Sequence, residues 1–179
     1  MADKLKCIFL LVALIVAGCG PSQPPEDVVI SLGGEEWIME LATHPDEIRA
    51  GLMNRPSINP GTGMIFIFPE SRIQSFWMAY CLTDIDLVFV DGTGRITATH
   101  AMEVEPPRSP SESEQAYLGR MQSYGSIFPA RVAIELPPGS IEKLGLASGQ
   151  ATGLNMRALE DLRRRSATNR RQAESPVQP

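Results

Sequence analysis

Between Val28 and Leu154 glycine and proline cut the chain into strand-length apolar runs, and no helical stretch there is long enough to carry the backbone back across a sheet. Parallel neighbours need a connection of about a dozen residues or more, usually a helix. The punctuation therefore favours antiparallel pairing. Fifteen glycines and fifteen prolines among 179 residues supply the turns. Strand patterns fall at 28–32, 37–42, 64–68, 73–78, 85–90, 95–104, 131–136 and 150–154, with Gly33-Gly34 and Asp91-Gly92-Thr93-Gly94 as hairpin turns. Two short helices are expected. One follows Thr43, where Thr43 and Asp46 have capping-box spacing; the other starts at Ser140 and runs through Leu144. Residues 105–129, rich in Pro, Ser and acidic side chains, read as a long surface loop. The expected fold is mainly β: a compact antiparallel β-sandwich or barrel-like domain of about eight short strands with two short helices. Hydrophobic residues at 43% can fill such a core, and a net charge of -5 argues against a nucleic-acid binder, which needs clustered excess Lys and Arg.

The two ends differ from the middle. Met1 to Gly18 has Lys4 and Lys6, an apolar run from Cys7 to Ala17, and small residues before Cys19. That is the pattern of a removable secretory signal, and the run is too short for a bilayer span. Val16-Ala17-Gly18-Cys19 resembles the lipobox of bacterial lipoproteins. The resemblance implies cleavage after Gly18, acylation of Cys19 and anchoring to a lipid bilayer, on the periplasmic face of the outer membrane if the cell has two membranes. Residues 19–27 then form a Pro-rich tether, and 28–156 the β domain. With Cys7 removed and Cys19 lipidated, Cys81 is left without a partner in the chain. Residues 157–179 carry six arginines against three carboxylates, whereas 19–156 carry 17 acidic against 8 basic side chains. The C-terminal stretch reads as a basic, partly helical or disordered tail; its alternative role is contact with anionic lipid headgroups or cell-envelope polymers.

Trp37 to Leu41, Thr43, Glu47, Gly51-Leu52-Met53 and Arg55 come first in a longer series. Gly63-Met64, Phe66, Phe76-Trp77-Met78, Asp86, Phe89, Asp91 and Gly94 follow, and then Ala133 to Leu136, Gly139, Leu144-Gly145 and Gly149. In this order they resemble the bacterial and archaeal family called domain of unknown function 192. The resemblance covers roughly 28–154 and implies a mostly antiparallel β-sandwich, often secreted, with no established activity. Ala79, Tyr80 and Cys81 replace the family's common Lys-Asn-Thr, and Gln150 its common Asp.

Chemistry is thinly signalled. Two histidines, His44 and His100, without HxH, HExxH or CxxC spacing, leave zinc almost unsupported, and no phosphate loop or GxSxG elbow occurs. No cofactor is expected. Asp86 lies in an apolar strand and needs a partner, with Arg55 or Arg49 as candidates, or backbone donors. Trp77 alternates with Phe76 and Met78 and is either core or an exposed aromatic platform. Arg55, Trp77 and Asp86 are the candidate ligand-binding residues. A copper site from Met78, Cys81, His100 and Met102 competes with plain core packing. The leading reading is a noncatalytic binding or accessory module of the cell envelope, meeting a polymer or protein partner. The alternative is a hydrolase using carboxylates such as Asp84, Asp86 or Asp91 on a cell-envelope polymer or carbohydrate.

Overall fold

The structure is a computed structural model that describes residues 27–174. The segments expected to be the signal and the tether, Cys19 included, lie outside the described residues as far as Glu26. The chain is mainly β, with eight strands and four helices among the described residues. The strands β1 (Asp27–Leu32), β2 (Glu35–Ala42), β3 (Thr62–Arg72), β5 (Ile85–Val90), β6 (Ile96–Met102) and β8 (Ala130–Leu136) form one sheet in the order β1-β2-β3-β8-β5-β6. The two-residue strands β4 (Ser75–Phe76) and β7 (Tyr124–Gly125) pair separately. The sheet is mixed and does not close into a barrel.

One pairing departs from the antiparallel expectation: β2 and β3 run parallel, with Leu41 opposite Ile65. The connection of residues 43–61 makes this possible with a single short helix, α1 (Pro45–Ala50), because the irregular stretch after it supplies the remaining reach. A crossover needs length, and only part of that length must be helical.

Both faces of the sheet are buried, which is why β3, β5 and β8 read as continuous apolar runs and not as alternating ones. On one face Ile30, Trp37, Ile65, Val88 and Ile134 lie under α3 (Ser140–Leu144) and α4 (Met156–Glu174). On the other, Met64, Phe66, Leu87, Phe89 and Ala133 lie under the segment that follows α1 and residues 76–81. Residues 105–129 include helix α2 (Glu114–Gly119) and strand β7.

Local detail corrects several sequence assignments. His44, not Thr43, caps α1, and Glu47 returns the bond by accepting from the His44 and Thr43 N–H groups at 2.9 and 3.0 Å. Pro45 at the first helical position sets this start, so the residue three beyond the cap is Glu47 and not Asp46. Ser140 does not cap α3; its hydroxyl donates to the Pro137 carbonyl, and Gly139 stands at the cap. Of the strand expected at 73–78 only Ser75–Phe76 pairs, because β7 offers just two residues. Residues 150–154 make a single bridge, Ala151 to Arg95, in place of a strand.

The basic stretch after Met156 is helical as far as Glu174. Leu159 is buried, and Met156 and Leu162 pack on the core with it. Glu160 pairs with Arg131, Arg163 and Arg164, which hold its carboxyl well below the usual range, Arg163 foremost. At the far end Arg170 reaches Glu47 and Ser166 meets Thr43 at 3.1 Å. Exposed ion pairs contribute about 0–1 kcal/mol, whereas one fully buried leucine contributes about 1.5–3 kcal/mol. The apolar stripe therefore fixes α4, and the ion pairs set its direction.

Gly63 is demanded by the closeness of β3 and β8: a Cβ there would sit 2.2 Å from the Glu135 carbonyl oxygen. Gly63→Ala is expected to lower unfolding free energy by about 2 kcal/mol or more. Gly125→Ala, with open space around it, should change it by less than about 0.5 kcal/mol. Urea denaturation of both variants checks this; equal effects would contradict the close-approach account.

Candidate functional site

The covered face over β3 and β8 leaves a half-open cavity of about 490 Å³. Helix α1 forms one wall with Ile48 and Arg49; Phe68, Phe76 and Trp77 form the other; Cys81 and Glu135 lie among the lining residues. Phe76 is fixed by edge contacts with Phe66 and Phe89, ring centres 5.0 and 5.5 Å apart. Trp77, next in the chain, is 43% exposed. The strand alternation expected for Phe76 and Trp77 thus leaves one ring packed and the other open.

Glu135 is the unusual residue. It sits on β8 between Ile134 and Leu136, whose side chains fill the opposite face, and its register neighbours on the flanking strands are Met64 and Leu87. Only 4% of it is exposed. Its Oε2 accepts the Leu52 N–H at 3.2 Å, the one hydrogen bond to this carboxylate from the described residues. Gly51 turns the chain so that this N–H points inward: its φ of 48° suits glycine, and a Cβ there would stand 3.1 Å from Glu135 Oε2. Burial pushes the Glu135 carboxyl up to about 7, against the pull of the Leu52 N–H and the Arg55 charge. Arg55 itself is paired with Glu40, Nη2 to Oε2 at 2.7 Å, so it assists Glu135 only at a distance.

Cys81 is buried, with its thiol 3.7 Å from the Ala79 carbonyl. Burial, with the Glu135 charge adding, pushes that thiol up to about 12. A thiol so far from ionising is a poor nucleophile at neutral pH. Met78 and Met102 are core residues at 1% exposure, and His100 Nε2 lies 2.8 Å from the Gly125 carbonyl. Among the described residues no group of three or more His, Cys, Asp or Glu is placed to hold a metal ion.

The three candidate residues do not converge. Trp77 lines the cavity; Arg55 stands behind it on Glu40; Asp86 lies on the opposite face. Asp86 accepts the Ile141 N–H at 2.7 Å and so completes the N-terminus of α3, which has no side-chain cap of its own. Neither Arg49 nor Arg55 meets it. Burial raises the Asp86 pKa, opposed by the N–H groups of Ile141, Gly139 and Ser140. Asp84 accepts from Val104 N–H at 2.7 Å, and Asp91 Oδ1 accepts from Thr93 and Arg95 in its turn. Asp84 and Asp91 hold loops and Asp86 a helix start, and none of the three lines the cavity. Glu135 escaped the sequence reading, although a lone acid inside the apolar run Val132 to Leu136 was its signal.

A mixed sheet buried on both faces, with an apolar cavity ending on one buried carboxylate, defines the class of domain. The chain belongs to DUF192, the family described as Uncharacterized ACR, COG1430, whose model matches residues 28–154. Comparison with curated proteins gives no significant match. A crystal structure from Sinorhizobium meliloti 1021, provisionally described as a transcription regulator, is 29% identical with a TM-score of 0.53, covering 68% of this chain and 85% of that one. A protein of unknown function from Novosphingobium aromaticivorans DSM 12444 is 22% identical with a TM-score of 0.56, covering 72% and 84%. The second likeness speaks to the fold alone.

Glu135 makes stability depend on pH. Folding raises its carboxyl from an ordinary 4.5 to about 7, so its contribution is full below pH 4.5 and lost as pH rises through 7. The loss is on the order of 3 kcal/mol. Glu135→Gln should therefore gain on the wild type by about that amount between pH 4.5 and pH 8. Urea unfolding at several pH values would show it; a difference independent of pH would contradict the assignment.

Proposed function

We propose that this protein is a noncatalytic binding module of the cell envelope, secreted through its signal and held to the bilayer by acylated Cys19. In a cell with two membranes it stands on the periplasmic face of the outer membrane. The observation that carries the binding role is the cavity over Glu135. Its volume lies in the range of small-molecule sites, its walls are mostly apolar, and it holds one polar group at depth. General acid and base work on a polymer would draw on a second group beside Glu135. Among the described residues, no other carboxylate lines the cavity, and Cys81 is poorly suited to ionise. Trp77 at the mouth offers a flat face to an apolar ligand.

The anchor follows from the lipobox resemblance. Two or three acyl chains hold a protein to a bilayer stably, and the short tether keeps the domain near the surface.

Nuclear magnetic resonance of the labelled protein, titrated with a panel of small aromatic and aliphatic compounds, tests the binding role. Shifts should gather on the Leu52 amide and the Trp77 indole. Trp77→Ala should weaken any ligand so found about fivefold or more. Shifts confined to other faces would contradict the proposal. Cys19→Ser should move the protein from the membrane to the soluble fraction; unchanged membrane association would overturn the anchor.

A further inference from the structure

The cavity is polarised. At its inner end is Glu135, 4% exposed, with one backbone donor. At its mouth are two arginines: Arg49, exposed on α1, and Arg72 at the end of β3, its side chain 66% exposed and only loosely set against Glu70 at 3.9 Å. The rest of the lining includes the apolar groups Ile48, Met53, Phe68 and Phe76, and Trp77, 43% exposed. A ligand matched to this order carries a nitrogen donor at one end, an apolar body, and an anion at the other. A carboxylate with a single hydrogen bond retains acceptor capacity, and a charged donor is the partner that repays its burial best. Arginine pairs with carboxylates through two parallel N–H bonds.

We propose, building on the binding role above, that the cavity takes a short apolar peptide with free termini, its ammonium group on Glu135 and its carboxylate on Arg49 and Arg72. Two extended residues span roughly 7 Å, and a cavity of about 490 Å³ accommodates a dipeptide with two large side chains. Specificity would rest on the ends of the ligand, since both ends meet charge while the walls are tolerant of apolar shape. Removing the charge at either end leaves a protein group without its partner, and the site should discriminate by that loss.

The test is calorimetry of the full chain in detergent with three probes: leucyl-phenylalanine, its N-acetyl form and its C-terminal amide. In the wild type, N-acetylation should weaken binding about tenfold or more and amidation about fivefold. The first penalty should shrink below about threefold in Glu135→Gln, and the second should do so in the Arg49→Ala, Arg72→Ala double variant. The arginine variant changes exposed side chains only, so it keeps the test informative if Glu135→Gln unfolds. Equal binding of the free and N-acetyl peptides, or penalties unchanged in the variants, would overturn the proposal. If no peptide binds but the neutral probe 3-phenylpropanol shifts the Trp77 indole resonance, the ligand class fails and the cavity's binding role stands. If neither probe is taken up, both fall.

Discussion

One hydrogen bond organises the covered face: the Leu52 N–H to the buried Glu135 carboxylate. A carboxylate taken out of water costs several kcal/mol unless it is paired or protonated. Here it has one backbone donor and, through Arg55, a distant charge. The fold answers the cost partly by holding the proton longer and partly by shaping the chain around the group. Gly51 turns the backbone so that its neighbour donates inward, and Gly63 lets β3 approach the Glu135 carbonyl. Leu52 is then buried under the donor it supplies. The Gly-Leu-Met and Gly-Met pieces that carry the family resemblance are thus the two segments closing on Glu135, the first on its carboxylate and the second on its backbone carbonyl.

The opposite face answers a different demand. There an apolar layer is covered by α3 and α4, and polar groups serve the helix ends. Asp86 accepts the Ile141 N–H at the N-terminus of α3. Arg131 and Glu160 tie α4 across the sheet, and Arg170 ties its far end to Glu47 of α1. Because Glu47 also holds the start of α1, the helix that walls the cavity is braced from the C-terminal segment. Burial alone would favour the neutral form of Glu47; the N–H groups of His44 and Thr43, with Arg170, outweigh it and keep the carboxyl ionised below the usual range.

Much of the architecture was legible in the sequence because it is written in period and punctuation. The strands at 28–32, 85–90 and 131–136 follow from apolar runs between turn residues. The parallel pair β2 and β3 was hidden, since the reading required a long helix for a crossover and residues 43–61 achieve it with one short helix and irregular chain. The cap of α1 was displaced by one residue because Pro45 decides where the helix begins. Asp86 was recognised as needing backbone donors or a cation, but which donors depended on a contact 55 residues away, beyond any local pattern. The role of Glu135 is hidden for a related reason. A single acid in an apolar strand is visible, yet its meaning depends on whether both faces are covered, and coverage is a property of the assembled sheet. Strand alternation alone allows Trp77 to face core or solvent, and the assembled fold leaves it 43% exposed in the cavity lining.

Glu135 is a buried, single-donor carboxyl that takes up a proton near neutrality. Carbon-13 resonance of the Glu135 carboxyl followed from pH 3 to pH 9 measures this directly. The expected midpoint is about 7, with the Leu52 amide proton shifting through the same transition as its acceptor gains charge. A midpoint at the ordinary 4.5, or a Leu52 amide indifferent to the titration, would contradict it.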